Sequence, residues 1–427
     1  MTGAAVLLLD AAGPESAALA RAAAKRGHQV HAATMADGQA PAPGLDGQVV
    51  TDFSRPERAV EEITAYACRR GVGAVLTANE YLTELAALVC AELGLPGNDP
   101  HLAHAARDKA AMASVLTAAG VCVPYTRLVH DDTELQDALA DAAVGFPCVI
   151  KPVGGAGSAG VTVVTSPAEA AAAADTARRA RGRYGGDGAA GFLVQAYAAG
   201  YEYSVESVTQ DAVTTHLAVT QKAVTGGARR VEAGHSLPVR LPPATERAVH
   251  REVDAAIRAV GIRHGASHTE VVITTDGQCT VIEIAARLGA GHIGLLLQHA
   301  LGIDVFAALL DVALGRPAEL TSTAHGHATV RFITAPHAGR LTSLTGFPKP
   351  GPGVPFVRWR AAIGGPVNAA GVNADRLGCF IVTGMDAAEV EQRADMLMRQ
   401  VRLHVVPVPP GGHPRQASST RTAAIAP

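Results

Sequence analysis

Cysteine is scarce in this chain and carries no motif. Cys68, Cys90, Cys122, Cys148, Cys279 and Cys379 show no C-x-x-C spacing, so they read as reduced core residues rather than a redox or disulfide framework. Charge is also low: charged residues make up 18% of 427 and the net charge is −3, which argues against disorder and against a basic nucleic-acid surface. Long uninterrupted apolar runs are missing. The most apolar stretch, 295–314, is broken by Gln298, His299, Asp304 and Asp311, so no membrane span is expected. The opening MTGAAVLLLDAAG has no basic n-region and a short apolar run, which fits a first β-strand better than a signal peptide. A cytoplasmic protein that handles small molecules is the expectation.

The chain has length for about three domains. Strands at 6–9, 29–33 and 74–77 alternate with helices at 15–26, 56–70 and 81–93, which predicts an α/β, doubly wound parallel sheet over the first hundred residues. Ligands of such sheets bind beyond the strand C-termini, where Asn79 and Glu80 fall; Glu80 is equally placed as a helix N-terminal carboxylate. A helix over 101–119 is expected to carry Arg107, Asp108 and Lys109, followed by a strand entering Pro124 and a helix over 132–143. The middle of the chain reads as α+β. Its strands fall at 192–195, 203–207, 218–222, 268–274 and 279–284, with helices over 167–183 and 245–260. Glycine-rich loops are expected over 181–191 and around Gly226, Gly227, Arg229 and Arg230.

The central stretch is FPCVIKPVGGAGSAGVTVV, residues 146–164. Residues 155–160 satisfy G-x-G-x-x-G, but a dinucleotide fold needs a helix directly after the glycines. A β-branched strand follows instead, and no G-K-[ST] is present for a P-loop. What remains is a hairpin whose bare amides can close over an anion, with Lys151 at its base. A glycine-rich surface hairpin is the bland alternative. Farther on, two strands joined at Asp276-Gly277, a strong hairpin turn, carry Glu270 and Glu283 among apolar neighbours. Carboxylates so placed call for a cation, and a metal site is preferred over solvated edge glutamates. His325 and His327 alternate on a predicted strand but lack a third ligand, so zinc is not expected there. A further β-rich stretch over 325–405 precedes a Pro, Gly, Ser and Thr-rich tail.

Together, Lys109, Lys151, the glycine hairpin, Glu270, Glu283 and Arg287 resemble the ATP-grasp ligases. The most specific part is HTEVVITTDGQCTVIEIAARLGAGH, residues 268–292. The resemblance implies the ATP-grasp fold, with an N-terminal α/β domain over 1–105, an ATP-grasp domain over 106–320 whose small lobe spans about 121–200, a C-terminal β-rich lobe over 321–406 and a disordered tail over 407–427. It also implies ATP with Mg²⁺ or Mn²⁺. Lys109 and Lys151 would contact phosphates, and the loop with Gly154, Gly155, Gly157, Ser158 and Gly160 would close over the γ-phosphate. Gln195, where the family usually has glutamate, would accept from the adenine amino group; Tyr197 and Ala198 would give backbone contacts and Glu202 the ribose contact. Glu270 and Glu283 would hold the metal, and Arg287 would assist transfer.

E-I-A-A-R, with Ala285 where many ATP-grasp enzymes have asparagine, resembles the L-amino acid ligase branch that includes the bacilysin dipeptide ligase. The loop EAGHSLP, residues 232–238, fits that branch and implies a substrate role for His235, although a turn-capping histidine is the alternative. Glu80, Gly289, Gly291 and His292 complete the expected substrate side, and Gly291 suggests a roomy acyl pocket. The activity implied is ATP-dependent joining of an amino-acid carboxylate to an amine through an acyl phosphate. A carboxylase, a purine-pathway-type ligase or a non-catalytic nucleotide-binding module are the alternatives. The expected partners are amino acids or amines, with neither nucleic acid nor membrane, and a homodimer is left open.

Overall fold

The computed structural model describes residues 3–36, 44–180, 184, 191–225 and 231–407. The predicted loop glycines and arginines at 226–230, most of the 181–191 loop and the tail beyond 407 lie outside the described residues.

The first unit runs β1 (Gly3–Leu9), α1 (Pro14–Lys25), β2 (His28–Thr34), β3 (Gly47–Val50), α2 (Pro56–Arg70), β4 (Val72–Leu76) and α3 (Thr83–Leu93). Its four strands are parallel in the order β3-β2-β1-β4. Helix α1 packs its Leu19, Ala20 and Ala23 on one face, while α2 and α3 cover the other through Ile63, Leu85 and Val89. That is the doubly wound arrangement expected. Strand β3 was not foreseen: it is a short edge strand of alternating half-buried residues. Helix α3 starts two residues later than read, because Glu80–Leu82 forms a separate 3₁₀ turn capped by Asn79, whose Oδ1 accepts from the Tyr81 amide at 3.1 Å.

The expected single helix over 101–119 is two pieces. A 3₁₀ turn, Ala103–Ala106, ends at Arg107, and α4 (Lys109–Ala118) begins afresh behind Asp108. Asp108 Oδ1 accepts from the Ala110 and Ala111 amides at 2.8 Å each, the N-cap bond that satisfies the otherwise unpaired first-turn donors.

A four-stranded antiparallel sheet follows, in the order β5-β8-β6-β7. Its elements are β5 (Thr126–Val129), α5 (Asp132–Ala140), β6 (Cys148–Pro152), β7 (Thr162–Val164), α6 (Pro167–Arg179) and β8 (Phe192–Ala196). Strand β5 starts after Pro124 rather than at it, and α5 and α6 stop three and four residues short of the positions read, before Asp141 and Ala180.

The largest sheet has eight antiparallel strands, ordered β13-β12-β9-β10-β11-β14-β18-β16. It comprises β9 (Tyr201–Gln210), β10 (Val213–Val224), β11 (Glu232–Leu237), β12 (Gly265–Ile273), β13 (Cys279–Ala285), β14 (His327–Ile333), β16 (Phe356–Trp359) and β18 (Gly378–Gly384), with α7 (Pro243–Ala259), α8 (Ile293–Leu301), α9 (Val305–Ala313) and α10 (Ala387–Gln400) packed around it. Three C-terminal strands thus extend this sheet, and only β15 (Gly339–Thr345), β17 (Pro366–Val367) and β19 (Arg402–Val406) form a small sheet of their own. Helices α8 and α9 are apolar because they are core: Leu296, Leu297, Val305 and Leu310 are buried against α1 and the large sheet. Among the described residues no single helix is long and apolar enough to cross a membrane.

All six cysteines are free. Cys90, Cys148, Cys279 and Cys379 are buried as expected, but Cys68 and Cys122 are exposed. Cys68 lies in the exposed last turn of α2, and Cys122 lies in the loop after α4, outside any packed element.

Candidate active site

The glycine hairpin sits where three parts of the chain meet. Strand β6 carries the buried Lys151 at its penultimate position, and α4 presents Lys109 beside it, held by its backbone amide donating to Val153 O at 3.1 Å. Lys109 Nζ donates to Gly155 O at 2.6 Å and pairs with Glu283 at 3.0 Å. Burial alone would lower its pKa, but Glu283 and Glu80 turn the shift upward. Lys151 has no such direct partner among the described residues: burial, aided by the charge of Lys109, pushes it down to about 8. Two buried ammonium groups under a glycine loop attract polyphosphate.

Opposite them stands the hairpin of β12 and β13, in which Glu270 and Glu283 are directly paired across the ladder. Glu270 is ion-paired to Lys222 of β10, which also holds Glu232 at 3.0 Å. Burial opposes ionisation of Glu270, yet Lys222 and then His268 keep its carboxyl far below the usual range. His268, two residues back and so on the same strand face, places Nε2 at 3.5 Å from Glu270, and its Nδ1 meets Glu206 at 2.9 Å. Burial lowers the imidazole, but Glu206 lifts it to about 9, so it is an imidazolium at neutral pH.

Arg287, just past β13, is ion-paired with Glu80 from the first unit and donates to Leu288 O at 2.8 Å. Glu80 is buried, which would raise its pKa, but Arg287 and Lys109 draw it down. It heads a 3₁₀ turn, yet its carboxylate is spent on the arginine rather than on the turn's amides. Arg107 stacks 4.2 Å over Tyr81 and donates to Gly154 O.

These groups line one cavity of about 200 Å³. Glu80, Lys109, Lys151, Gly155, Gly157, Ser158, Gln195, Tyr197, Ala198, Glu202, His235, Glu270, Glu283 and Arg287 all face it. The hinge between β8 and β9 supplies Tyr197 and Ala198. Gly200 is required there, because a Cβ would meet Ile273 O at 2.6 Å at its φ of +154°. Gln195 Nε2 donates to Thr126 Oγ1 at 2.8 Å, which leaves Oε1 as the atom open to a donor among the described residues.

Five expected residues do not line the cavity. Gly154 and Gly160 shape the loop from behind, the former accepting from Arg107 and the latter lying against Pro152 and Ala180. The roomy pocket expected at Gly291 is absent: a Cβ there would meet His235 Nε2 at 2.7 Å and Phe332 Cζ at 3.1 Å, and its φ is +73°. At Gly289 a Cβ would meet Ile293 Cδ1 at 2.6 Å and His268 Nδ1 at 2.7 Å. Both positions are small because packing and backbone demand it. His292 caps α8 with a φ of +66° and stacks 4.8 Å from Phe356, away from the cavity. His235 lies in strand β11, between β10 and β14, rather than in a loop; burial brings it down to about 4, so it is neutral.

Several groups were not legible in the sequence. Lys222 and Glu232 complete the charge chain, and Arg376 Nη2 pairs with Glu232 at 2.6 Å. Asn373 donates from Nδ2 to Glu232 at 2.9 Å, while its amide donates to Gly157 O at 3.3 Å, so the C-terminal segment holds the glycine loop. His268 had a usable signal in its i, i+2 spacing to Glu270. Asn373 and Arg376 had none, since their partners are more than 140 positions away.

The donor set fits a hard cation. Among the described residues no group of three or more His, Cys, Asp and Glu is arranged as a metal cage, but two opposed carboxylates beside a phosphate-binding loop match the way Mg²⁺ is held, through one or two carboxylates plus substrate phosphates. His325 is exposed and outside β14, and His327 Nε2 lies 3.5 Å from Glu391, so the two histidines form no site together.

Sequence profiles match this chain in three places: the ATP-grasp N-terminal domain over residues 20–97, the ATP-grasp domain over 144–295 and the L-amino acid ligase C-terminal domain 2 over 331–406. The uncharacterised protein y4rH of Sinorhizobium fredii is 28% identical over 318 residues, which cover 73% of this chain and 63% of that protein. Alanine–anticapsin ligase of Bacillus subtilis is 28% identical over 287 residues, 63% of this chain and 60% of the ligase. The chain therefore spans less than two thirds of the length of these relatives. Among solved structures, an L-amino acid ligase from Bacillus licheniformis superposes with a TM-score of 0.79 at 20% identity, covering 96% of this chain and all of that one. Phosphoribosylglycinamide synthetase from Anaerococcus prevotii gives 0.71 at 18% identity, with 94% and 100% covered. The chain thus carries an ATP-grasp N-terminal domain, an ATP-grasp domain and an L-amino acid ligase C-terminal domain 2 in that order, on a fold shared with the solved L-amino acid ligase.

Proposed function

We propose that the protein is an ATP-dependent carboxylate–amine ligase that joins an amino-acid carboxylate to an amine and releases ADP and phosphate. The observation that supports this best is the meeting, in one cavity, of two buried lysines, a glycine loop, opposed Glu270 and Glu283, and the largely covered guanidinium of Arg287. Lys109, Lys151 and the loop amides hold the triphosphate, and Gln195, Tyr197, Ala198 and Glu202 hold the nucleoside. Glu270 and Glu283 are the residues that would hold Mg²⁺ or Mn²⁺, which when bound neutralises charge on the phosphate oxygens.

A carboxylate oxygen attacks the γ-phosphorus and ADP leaves, giving an acyl phosphate. The amine then attacks the acyl carbon, phosphate leaves, and the amine nitrogen loses a proton. Arg287 offsets the charge on the transferring phosphoryl group and then on the tetrahedral oxyanion. Acyl phosphates hydrolyse, so the hinged glycine loop, fastened by Asn373, also excludes water. Neutral His235 and ionised Glu232, which line the same cavity, are assigned to the amine substrate.

Phosphorus NMR of turnovers with pooled amino acids tests the reading. ADP and phosphate are expected, in step with amide product and without bicarbonate. AMP with pyrophosphate, or a bicarbonate requirement, would overturn it.

A further inference from the structure

A second cavity, of about 90 Å³, lies behind Arg287, between the first unit and the large sheet. Arg287 belongs to the wall of both cavities. Most of its lining is apolar, with Leu19 of α1, Ala87 of α3 and Phe306, Leu309 and Val312 of α9 buried around it, while Glu15 and Asn98 add a carboxylate and an amide to the wall. Two hydroxyls on the wall ask nothing of a ligand, since Thr77 Oγ1 donates to Leu9 O and Thr83 Oγ1 to Glu80 O, each at 3.0 Å. His264 Nδ1 is the polar atom of this wall that is buried without a partner among the described residues.

The cavity is open on one side, so a ligand can enter it, and its walls are apolar enough to take an aliphatic group, as small-molecule pockets commonly are. We propose that the second cavity is the side-chain site of the carboxylate substrate and takes an aliphatic side chain of about three or four heavy atoms. The size follows from the comparison that an apolar cavity of ~150 Å³ admits benzene. This inference rests on the ligase reading above. A carboxylate that accepts a phosphoryl group must lie against Arg287 in the first cavity. The nucleotide side of that carboxylate is occupied by phosphate, so its α-substituent is directed past the guanidinium, where the aliphatic wall begins. Glu80, which holds Arg287 in this structure, is the group that a bound carboxylate would replace as the partner of the guanidinium.

Two variants that touch neither lysine, carboxylate nor arginine test the assignment. Ala87→Leu fills the space and Leu309→Ala enlarges it. ADP release is measured with alanine, valine, leucine and methionine as acyl donors, one fixed amine and saturating ATP and Mg²⁺. A methylene gained or lost in an apolar pocket changes kcat/KM by roughly tenfold or more. Ala87→Leu is therefore expected to lose at least about tenfold for leucine and methionine while alanine changes less than about threefold, and Leu309→Ala is expected to shift preference the other way. The KM for ATP and the amine ranking are expected to hold. Calorimetric titration of leucine into the wild type and both variants, with ADP and Mg²⁺ present, reads binding without turnover.

If the wild type joins no pair of amino acids yet binds leucine, and Ala87→Leu abolishes that binding, the ligase reading fails and the assignment to a carboxylate substrate falls with it, leaving an aliphatic-ligand site of another role. If the wild type forms amide but neither variant moves the acyl ranking, the site is overturned and the ligase reading stands. Leucine binding that responds to the variants without any change in acyl ranking would mark an effector site and also overturns the proposal. Should Ala87→Leu fail to fold, Leu309→Ala decides by the same two measurements.

Discussion

Glu283 shows how much a single residue is asked to do. It pairs with Lys109 at 3.0 Å and stands across the ladder from Glu270. Glu283→Gln keeps the shape and one hydrogen bond to the lysine but removes a charged oxygen donor. Because even outer-shell changes at metal sites cost 10–100-fold, a loss of about 100-fold or more in kcat is expected, with the fold retained by circular dichroism. Near-parental turnover at low Mg²⁺ would remove the metal assignment. Gly291 makes the opposite point, since the missing side chain is the function. Its φ of +73° costs a β-carbon about 1–2 kcal/mol, and that carbon would press on His235. Gly291→Ala is expected to lower stability in urea and to reduce kcat/KM for every acyl donor alike. A selective shift among donors would instead place open space at this position.

Element by element, the legible parts of the chain were those where local chemistry and tertiary context agree. The β12–β13 hairpin announces itself through Asp276-Gly277 and alternating apolar residues, and its two glutamates fall opposite each other as read. The stretch EAGHSLP reads as loop because Glu, Gly, Ser and Pro have poor strand propensity. Pairing with β10 on one side and β14 on the other makes it a central strand, and no local signal carries a partner some 90 residues away. Helix α4 was merged with its predecessor because Asp108 breaks an otherwise alanine-rich run only through its capping bonds.

One contact between elements carries a pH signature. His216 on β10 joins Asp254 on α7 at 3.3 Å and stacks 4.2 Å from His250 of the same helix. Burial first, then the neighbouring histidine, lowers His216 to about 4 from its ordinary value of 6.5. The folded state therefore binds fewer protons than the unfolded chain between pH 6.5 and 4, and stability rises with pH across that window. Acidification from pH 7 toward 4 is expected to weaken α7 against the sheet. Urea unfolding of His216→Gln, which keeps a hydrogen-bonding side chain near Ser207, should show a shallower slope of stability against pH. An unchanged slope would mean that this histidine does not set it.

At the scale of the whole molecule, the cavity belongs to no single unit. Glu80 comes from the parallel sheet, Lys151 and the glycine loop from the four-stranded sheet, the two glutamates from the eight-stranded sheet, and Asn373 from the C-terminal segment. The three profiles can be read from sequence one after another, but their convergence depends on ion pairs that span 207 positions between Glu80 and Arg287 and 144 between Glu232 and Arg376. A ligand that touches all four pieces must stabilise all four. Nucleotide at 100 times its Kd adds about 2.7 kcal/mol, which is about 100-fold slower exchange for amides that open only with the whole structure. Hydrogen exchange with ADP and Mg²⁺ is therefore expected to slow together at 76–82, 148–160, 268–285 and 372–380. Protection confined to 148–160 and the hinge at 195–202 would show instead that the small sheet binds nucleotide on its own, and that the Glu80–Arg287 and Glu232–Arg376 ion pairs do not couple the other pieces to it.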